Sequence, residues 1–128
     1  MRIMHAWFRK LSVALCVAAG VVCGCQQGST AIAGTASAAN RGRTIIARYG
    51  CGKCHTIPGI QGAHGVVGPP LQSIARRTYI AGNFANTPDT LTQWIMTPQK
   101  MKPKTAMPSL NLSEPQARDV VAYLETLQ

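Results

Sequence analysis

The chain has 128 residues, with thirteen Lys or Arg against four Asp or Glu and a net charge of +9 at neutral pH. At roughly 150 residues per domain there is room for one domain and no second. Five cysteines, odd in number and irregularly spaced, exclude a disulfide scaffold, and the single apolar run excludes a polytopic membrane protein. Two Trp, three Tyr and two Phe among twelve Gly and eight Pro leave little bulk for a core. A unit this small and this thinly supplied needs a metal or a cofactor as a staple.

The N-terminus reads as an export segment. Arg2, Arg9 and Lys10 supply a positive n-region, and Leu11 to Val22 is an uncharged apolar run of twelve residues. At about 1.5 Å per residue the run spans roughly 18 Å, short of a ~30 Å hydrocarbon core. A secretory signal therefore fits and a spanning helix does not. The run closes on Val22-Cys23-Gly24-Cys25-Gln26, which resembles a bacterial lipobox, with Cys23 where Ala or Ser is usual. On that reading Cys25 takes lipid and becomes the new N-terminus. Ordinary cleavage at Ala31-Ile32-Ala33 or Ala36-Ser37-Ala38 is the alternative. Processing before Cys25 discards Cys16 and Cys23 and takes three of the thirteen basic residues, leaving ten against four and a net +6. Residues 1–24 are then the signal peptide, and 25–40, uncharged and rich in small residues, a flexible tether. The folded unit is 41–128, held by a lipid anchor on the periplasm-facing side of a bacterial envelope.

Within that unit the pattern is all-α. Arg41 to Tyr49 is a short helix that carries Ile45, Ile46 and Tyr49 and ends at Gly50. A turn or two is expected around Leu71 to Arg77. Thr87-Pro88 is an N-cap with proline at the first helical position; Leu91, Trp94 and Ile95 follow on one face, and Pro98 ends the helix. Ser113 and Gln116 form a capping box, after which Ala117, Val120, Val121, Leu124 and Leu127 make one apolar stripe. No segment alternates as a strand. The Gly/Pro-rich segments 56–70 and 98–112 are too long for so small a domain unless they wrap something.

Cys51-Gly52-Lys53-Cys54-His55 supplies the something. C-x-x-C-H is the attachment signature of a c-type haem: each thiol adds to one of the two haem vinyls, and the next residue, His55, lies under the iron. A dithiol redox site needs a βαβ setting, which is absent. A structural zinc site needs about four ligands, and only His64 is available to join this compact set. The sixth iron ligand belongs downstream, where Met96, Met101, Met107 and His64 are candidates. Met96 falls in a helix, Met101 between two lysines, and His64 only nine residues past His55. Met107 lies in Thr105-Ala106-Met107-Pro108, where proline stiffens the loop, and His/Met ligation is usual for electron-transfer cytochromes c. The metal ligands are read as His55 and Met107, on one haem c bound covalently through Cys51 and Cys54.

From Gly42 onward the chain resembles a class I cytochrome c. It is most similar to the cytochrome c domain fused to subunit II of bacterial haem–copper oxidases. Beside the attachment motif, the matching landmarks are Gly68-Pro69-Pro70-Leu71, Tyr79-Ile80-Ala81-Gly82, Asn86-Thr87-Pro88, Trp94-Ile95, Lys102-Pro103, Ala106-Met107-Pro108 and Val120-Val121-Ala122-Tyr123-Leu124. The resemblance implies a cytochrome c fold of about four short helices around the haem. It implies that Pro69 accepts a hydrogen bond from the His55 ring, that Leu71 packs on the haem and that Trp94 donates to a propionate. Ile46 and Tyr123 would mark the crossing of the first and last helices; core packing alone is the plainer reading of Trp94 and Tyr123. Arg76 and Arg77 read as a solvated face rather than propionate partners. Two departures stand out. Lys104 replaces the family's usual Gly, which implies a reshaped turn, and the copper-binding domain of subunit II has no counterpart in these residues.

With both axial positions filled, iron offers no site to a substrate, so the expected function is outer-sphere electron transfer and not enzymatic catalysis. Lys53, Lys100, Lys102 and Lys104 would ring the haem edge and steer the protein to a redox partner with an acidic docking surface, a terminal oxidase or a dehydrogenase. Nucleic acid is not implied. A haem subunit docked to a dehydrogenase, or a haem sensor or enzyme with a labile Met107, are the rival readings.

Overall fold

In the computed structural model, residues 27–128 are described, with side chains from Gly34 onward; the expected signal peptide, residues 1–24, and Cys25 lie outside them. Residues 33–128 form one compact unit. Its elements are helix α1 (Gln27–Arg48), a hairpin of β1 (Tyr79–Ile80) and β2 (Phe84–Ala85), then helices α2 (Pro88–Met96), α3 (Pro98–Met101) and α4 (Glu114–Leu124). Single 3-10 turns cover Cys51–Lys53 and Ile74–Arg76, the second where a turn is expected. The fold is mostly helical, with the two-strand hairpin its only sheet among the described residues. None of the described helices is long and apolar enough to cross a membrane.

Helix α1 begins at Gln27, well before the expected start at Arg41, so residues 27–40 are helical rather than a flexible coil. The physical reason is alanine: Ala31, Ala33, Ala36, Ala38 and Ala39 are the best helix formers, and no proline interrupts them. Tertiary contacts reinforce the helix. Arg41 bonds Ser37 one turn back and grips both carboxylate oxygens of Asp119 in α4, at 2.8 and 2.7 Å.

The caps of α2 and α4 follow the expected chemistry. Thr87 accepts from the Thr90 amide with Pro88 at the first position, and Ser113 and Gln116 close the capping box. At Pro98 the structure differs from the expectation of a plain stop. The same proline opens α3, because its fixed φ and missing donor suit a first helical position as well as they break a helix interior. The hairpin, unexpected from the sequence, pairs Tyr79 with Ala85 and Ile80 with Phe84. Two-residue strands are too short for alternation to register.

The core is a single cluster built from α1 (Ile46), the 56–65 loop (Ile57, Ile60, Ala63), α2 (Leu91, Ile95) and the α4 stripe of Ala117, Val120, Val121 and Leu124. The long loop after the attachment motif thus contributes core side chains of its own. It closes on itself through Ile57 N–H to Ala63 O at 3.1 Å and a bridge between Thr56 and His64. Tyr123 is buried and its hydroxyl donates to the Pro58 carbonyl at 2.6 Å, which ties α4 to that loop.

Lys104 corrects one expectation: the turn is not reshaped, because Lys104 itself takes the left-handed conformation, φ 69°. That conformation costs a non-glycine residue roughly 1–2 kcal/mol, against about 0.5–1 kcal/mol of extra chain entropy that a glycine there would lose on folding. Lys104→Gly is therefore expected to stabilise the protein by about 0.5–1 kcal/mol, read as a higher midpoint in thermal unfolding.

Candidate haem-attachment site

The attachment motif follows directly on α1. Gly50 leaves the helix, and Cys51–Lys53 form a 3-10 turn closed by Lys53 N–H to Gly50 O at 2.9 Å and His55 N–H to Cys51 O at 3.0 Å. Both cysteines are half-buried free thiols. Burial pushes the Cys51 thiol above its usual pKa, so at neutral pH it is protonated.

His55 is oriented by its carbonyl partner. Its Nδ1 lies 2.7 Å from the Pro69 carbonyl oxygen. A carbonyl only accepts, so Nδ1 carries the proton and Nε2 keeps its lone pair. The loop bearing Pro69 is itself fastened to the motif, through Gly68 N–H to Cys54 O at 2.8 Å and Leu71 N–H to Thr56 O at 2.8 Å. Gly68 runs against the imidazole: a Cβ there would overlap His55 Cε1 and stand 2.6 Å from Nδ1. No side chain larger than hydrogen fits.

The remaining predicted residues are held by other parts of the fold. Leu71, Trp94 and Met107 are half-buried and packed against the core, as are Phe84, Met96 and Leu110. Trp94 packs against Phe84 with ring centroids 6.2 Å apart, tilted by 36°. Met107 is positioned by its own loop, where its amide bonds the Thr105 hydroxyl at 3.4 Å. Of its rivals, Met96 closes α2, Met101 closes α3, and His64 is exposed and bridged to Thr56. Arg77 is half-buried and donates to the Pro70 and Gln72 carbonyls at 2.5 and 3.2 Å in exposed hydrogen bonds, so the expected surface side chain is tied to its own loop. Sequence reasoning also passed over Gly42 and gave Gly68 no role. Only the earlier start of α1 makes Gly42 a helix-interior glycine, so its signal depended on the correct helix boundary.

Two free thiols on one turn, an imidazole with a defined donor nitrogen and a set of half-covered apolar side chains suit a large, flat, apolar group attached through sulfur. These residues fit a c-type haem.

Comparison with known proteins agrees. The cytochrome c family model matches residues 39–128, and the chain belongs to the cytochrome c family. Over 95 residues it is 33% identical to cytochrome c oxidase subunit 2 of Alkalihalophilus pseudofirmus, covering 73% of this chain and 27% of that protein. Over 91 residues it is 37% identical to cytochrome c2 of Rhodopila globiformis, covering 61% of this chain and 83% of that protein. The chain thus spans about a quarter of the oxidase subunit and most of the cytochrome c2. No solved structure matches it. Family membership implies covalently attached haem c and electron transfer through it.

Proposed function

We propose that the protein is an electron carrier of an exported respiratory chain, passing single electrons to or from a terminal oxidase through one haem c attached at Cys51 and Cys54. The observation that carries this reading is the bond from His55 Nδ1 to Pro69 O, which fixes the tautomer and leaves the Nε2 lone pair for iron. When bound, the haem supplies a one-electron iron couple. Met107 would supply the second iron ligand, and its thioether would favour a positive potential. Leu71 would cover the cofactor and limit water, and Trp94 would offer its indole N–H to a propionate.

Lys53, Lys100 and Lys104 are exposed and suit an acidic docking surface on the redox partner. Lys102, expected in the same ring, is already bonded within the protein. Similarity to an oxidase subunit supports an oxidase as the partner. Export, a lipid on Cys25 and a position on the periplasm-facing membrane surface complete the proposal; a mass measurement of the mature N-terminus tests the lipid.

The ligand set is tested by Met107→Ala. The oxidised wild-type protein is expected to be low-spin with a Met–Fe charge-transfer band. The variant is expected to lose the band, to fall in potential and to bind carbon monoxide rapidly when reduced. A high-spin wild-type spectrum, or an unchanged variant, would refute the carrier reading.

A further inference from the structure

Among the described residues, Lys102 is the lysine that hydrogen-bonds the protein itself: its Nζ donates to the Ala81 carbonyl at 2.8 Å, 21 positions away in sequence. Ala81 lies in the turn of the hairpin, between β1 and β2. The backbone of Lys102 occupies a junction. Its N–H caps α3 by bonding Pro98 O at 2.8 Å, and its carbonyl accepts from the Thr105 amide at 3.2 Å. Thr105 then uses its hydroxyl to accept from the Met107 amide at 3.4 Å. An unbroken series of bonds therefore runs from the hairpin turn through Lys102 and Thr105 to Met107.

Both sides of this contact are held in conformations that L-residues seldom adopt. Ala81 has φ 50° and Lys104 has φ 69°, and neither is glycine. Such backbone persists only where surrounding contacts over-determine it. The Lys102 bond is the side-chain hydrogen bond that joins the two strained turns. With it broken, the segment from Lys102 to Pro108 keeps its own short-range bonds and the packing of Met107 on the core, but no side-chain hydrogen bond to the hairpin opposes relaxation of Lys104, and that relaxation can carry Met107 with it.

We propose that Lys102 is a positioning residue for the axial ligand: by locking the Met107 loop to the hairpin turn at Ala81, it sets how often Met107 leaves the iron. The proposal rests on Met107 being that ligand. It assigns to Lys102, exposed like its neighbours, a role in ligand retention that its charge alone would not suggest.

The test uses the oxidised holoprotein and imidazole as a probe, with the rate of Met107 displacement read at saturating imidazole, where loop release limits. Lys102→Gln is expected to raise that limiting rate by roughly three- to tenfold, the net effect of losing one solvent-exposed hydrogen bond. Lys102→Arg, which keeps a long cationic donor, is expected to stay within about twofold of wild type. Lys100→Gln removes the same charge from an exposed neighbour and is expected to leave the rate unchanged. Hydrogen exchange gives a second readout: the Thr105 and Met107 amides lose protection in Lys102→Gln while those of α4 keep theirs. Equal rates in Lys102→Gln and wild type would overturn the proposal, as would equal acceleration in Lys100→Gln or in Lys102→Arg. If the wild-type protein lacks the Met–Fe band, the ligand assignment itself fails and the latch with it. A normal band with an unmoved Lys102→Gln rate sinks the latch alone.

Discussion

Gly68→Ala is expected to abolish the low-spin spectrum of the wild-type holoprotein and to reduce sharply the yield of haem-loaded protein. The added methyl would overlap the His55 ring at Cε1 and stand 2.6 Å from Nδ1 and 2.8 Å from Nε2. Neither neighbour can give way freely. The imidazole is held at Nδ1 by Pro69, and the Gly68 amide is bonded to Cys54 O, so ring and backbone belong to the same closed loop. Relief requires the ring to swing off Pro69, which turns Nε2 away from the position required of an axial ligand. Overpacking alone costs typically 1–3 kcal/mol, and loss of the proposed His55 ligand would add to it. The absorption spectrum and haem content of the purified variant check the prediction. A wild-type spectrum would mean that Gly68 does not seat His55.

The sequence exposed the parts of this site whose chemistry is local. Cys51, Cys54 and His55 sit within five residues, and the caps at Thr87 and Ser113 need only a hydroxyl and a following turn. The bond from His55 to Pro69 was legible through family resemblance, since nothing in either residue alone announces a partner 14 positions away. Other features are decided by tertiary structure. Gly68 looks like any glycine before two prolines until the imidazole is placed beside it. Lys102 reads as one of several surface lysines until the hairpin turn comes within reach of its Nζ. Lys104 shows the opposite error. The departure from glycine was visible, but its outcome depended on whether the turn or the side chain would yield, and the surrounding contacts made the lysine yield. The early part of α1 was misread because small uncharged residues suit a tether and a helix alike, and alanine's preference prevails where the following turns are anchored.

Gly42→Ala is expected to destabilise the protein by about 2–3 kcal/mol or more, although helix propensity argues for the reverse. In an exposed helix interior, replacing glycine by alanine gains roughly 0.8–1 kcal/mol. Gly42 is buried where α1 crosses α4, and a Cβ there would fall onto the Asp119 carbonyl oxygen, 2.6 Å from the Asp119 carbonyl carbon and 3.0 Å from Val120 N. All three atoms are helix backbone and cannot swing aside, so the helices must separate. Separation would pull Arg41 from Asp119 and uncover Ile46, which is 1% exposed beside Val120 and Val121 of the same cluster. Gly34, in the same helix with nothing within 4 Å of its Cβ position, is the matched control. Gly34→Ala is expected to be neutral or slightly stabilising. Thermal unfolding of the two variants reads the difference as a sign, not only a size. The visible spectrum separates this site from Gly68: below its lowered midpoint Gly42→Ala keeps the wild-type spectrum, whereas Gly68→Ala lacks it at every temperature. If Gly42→Ala unfolds at or above the wild-type midpoint, α1 and α4 do not meet at this glycine.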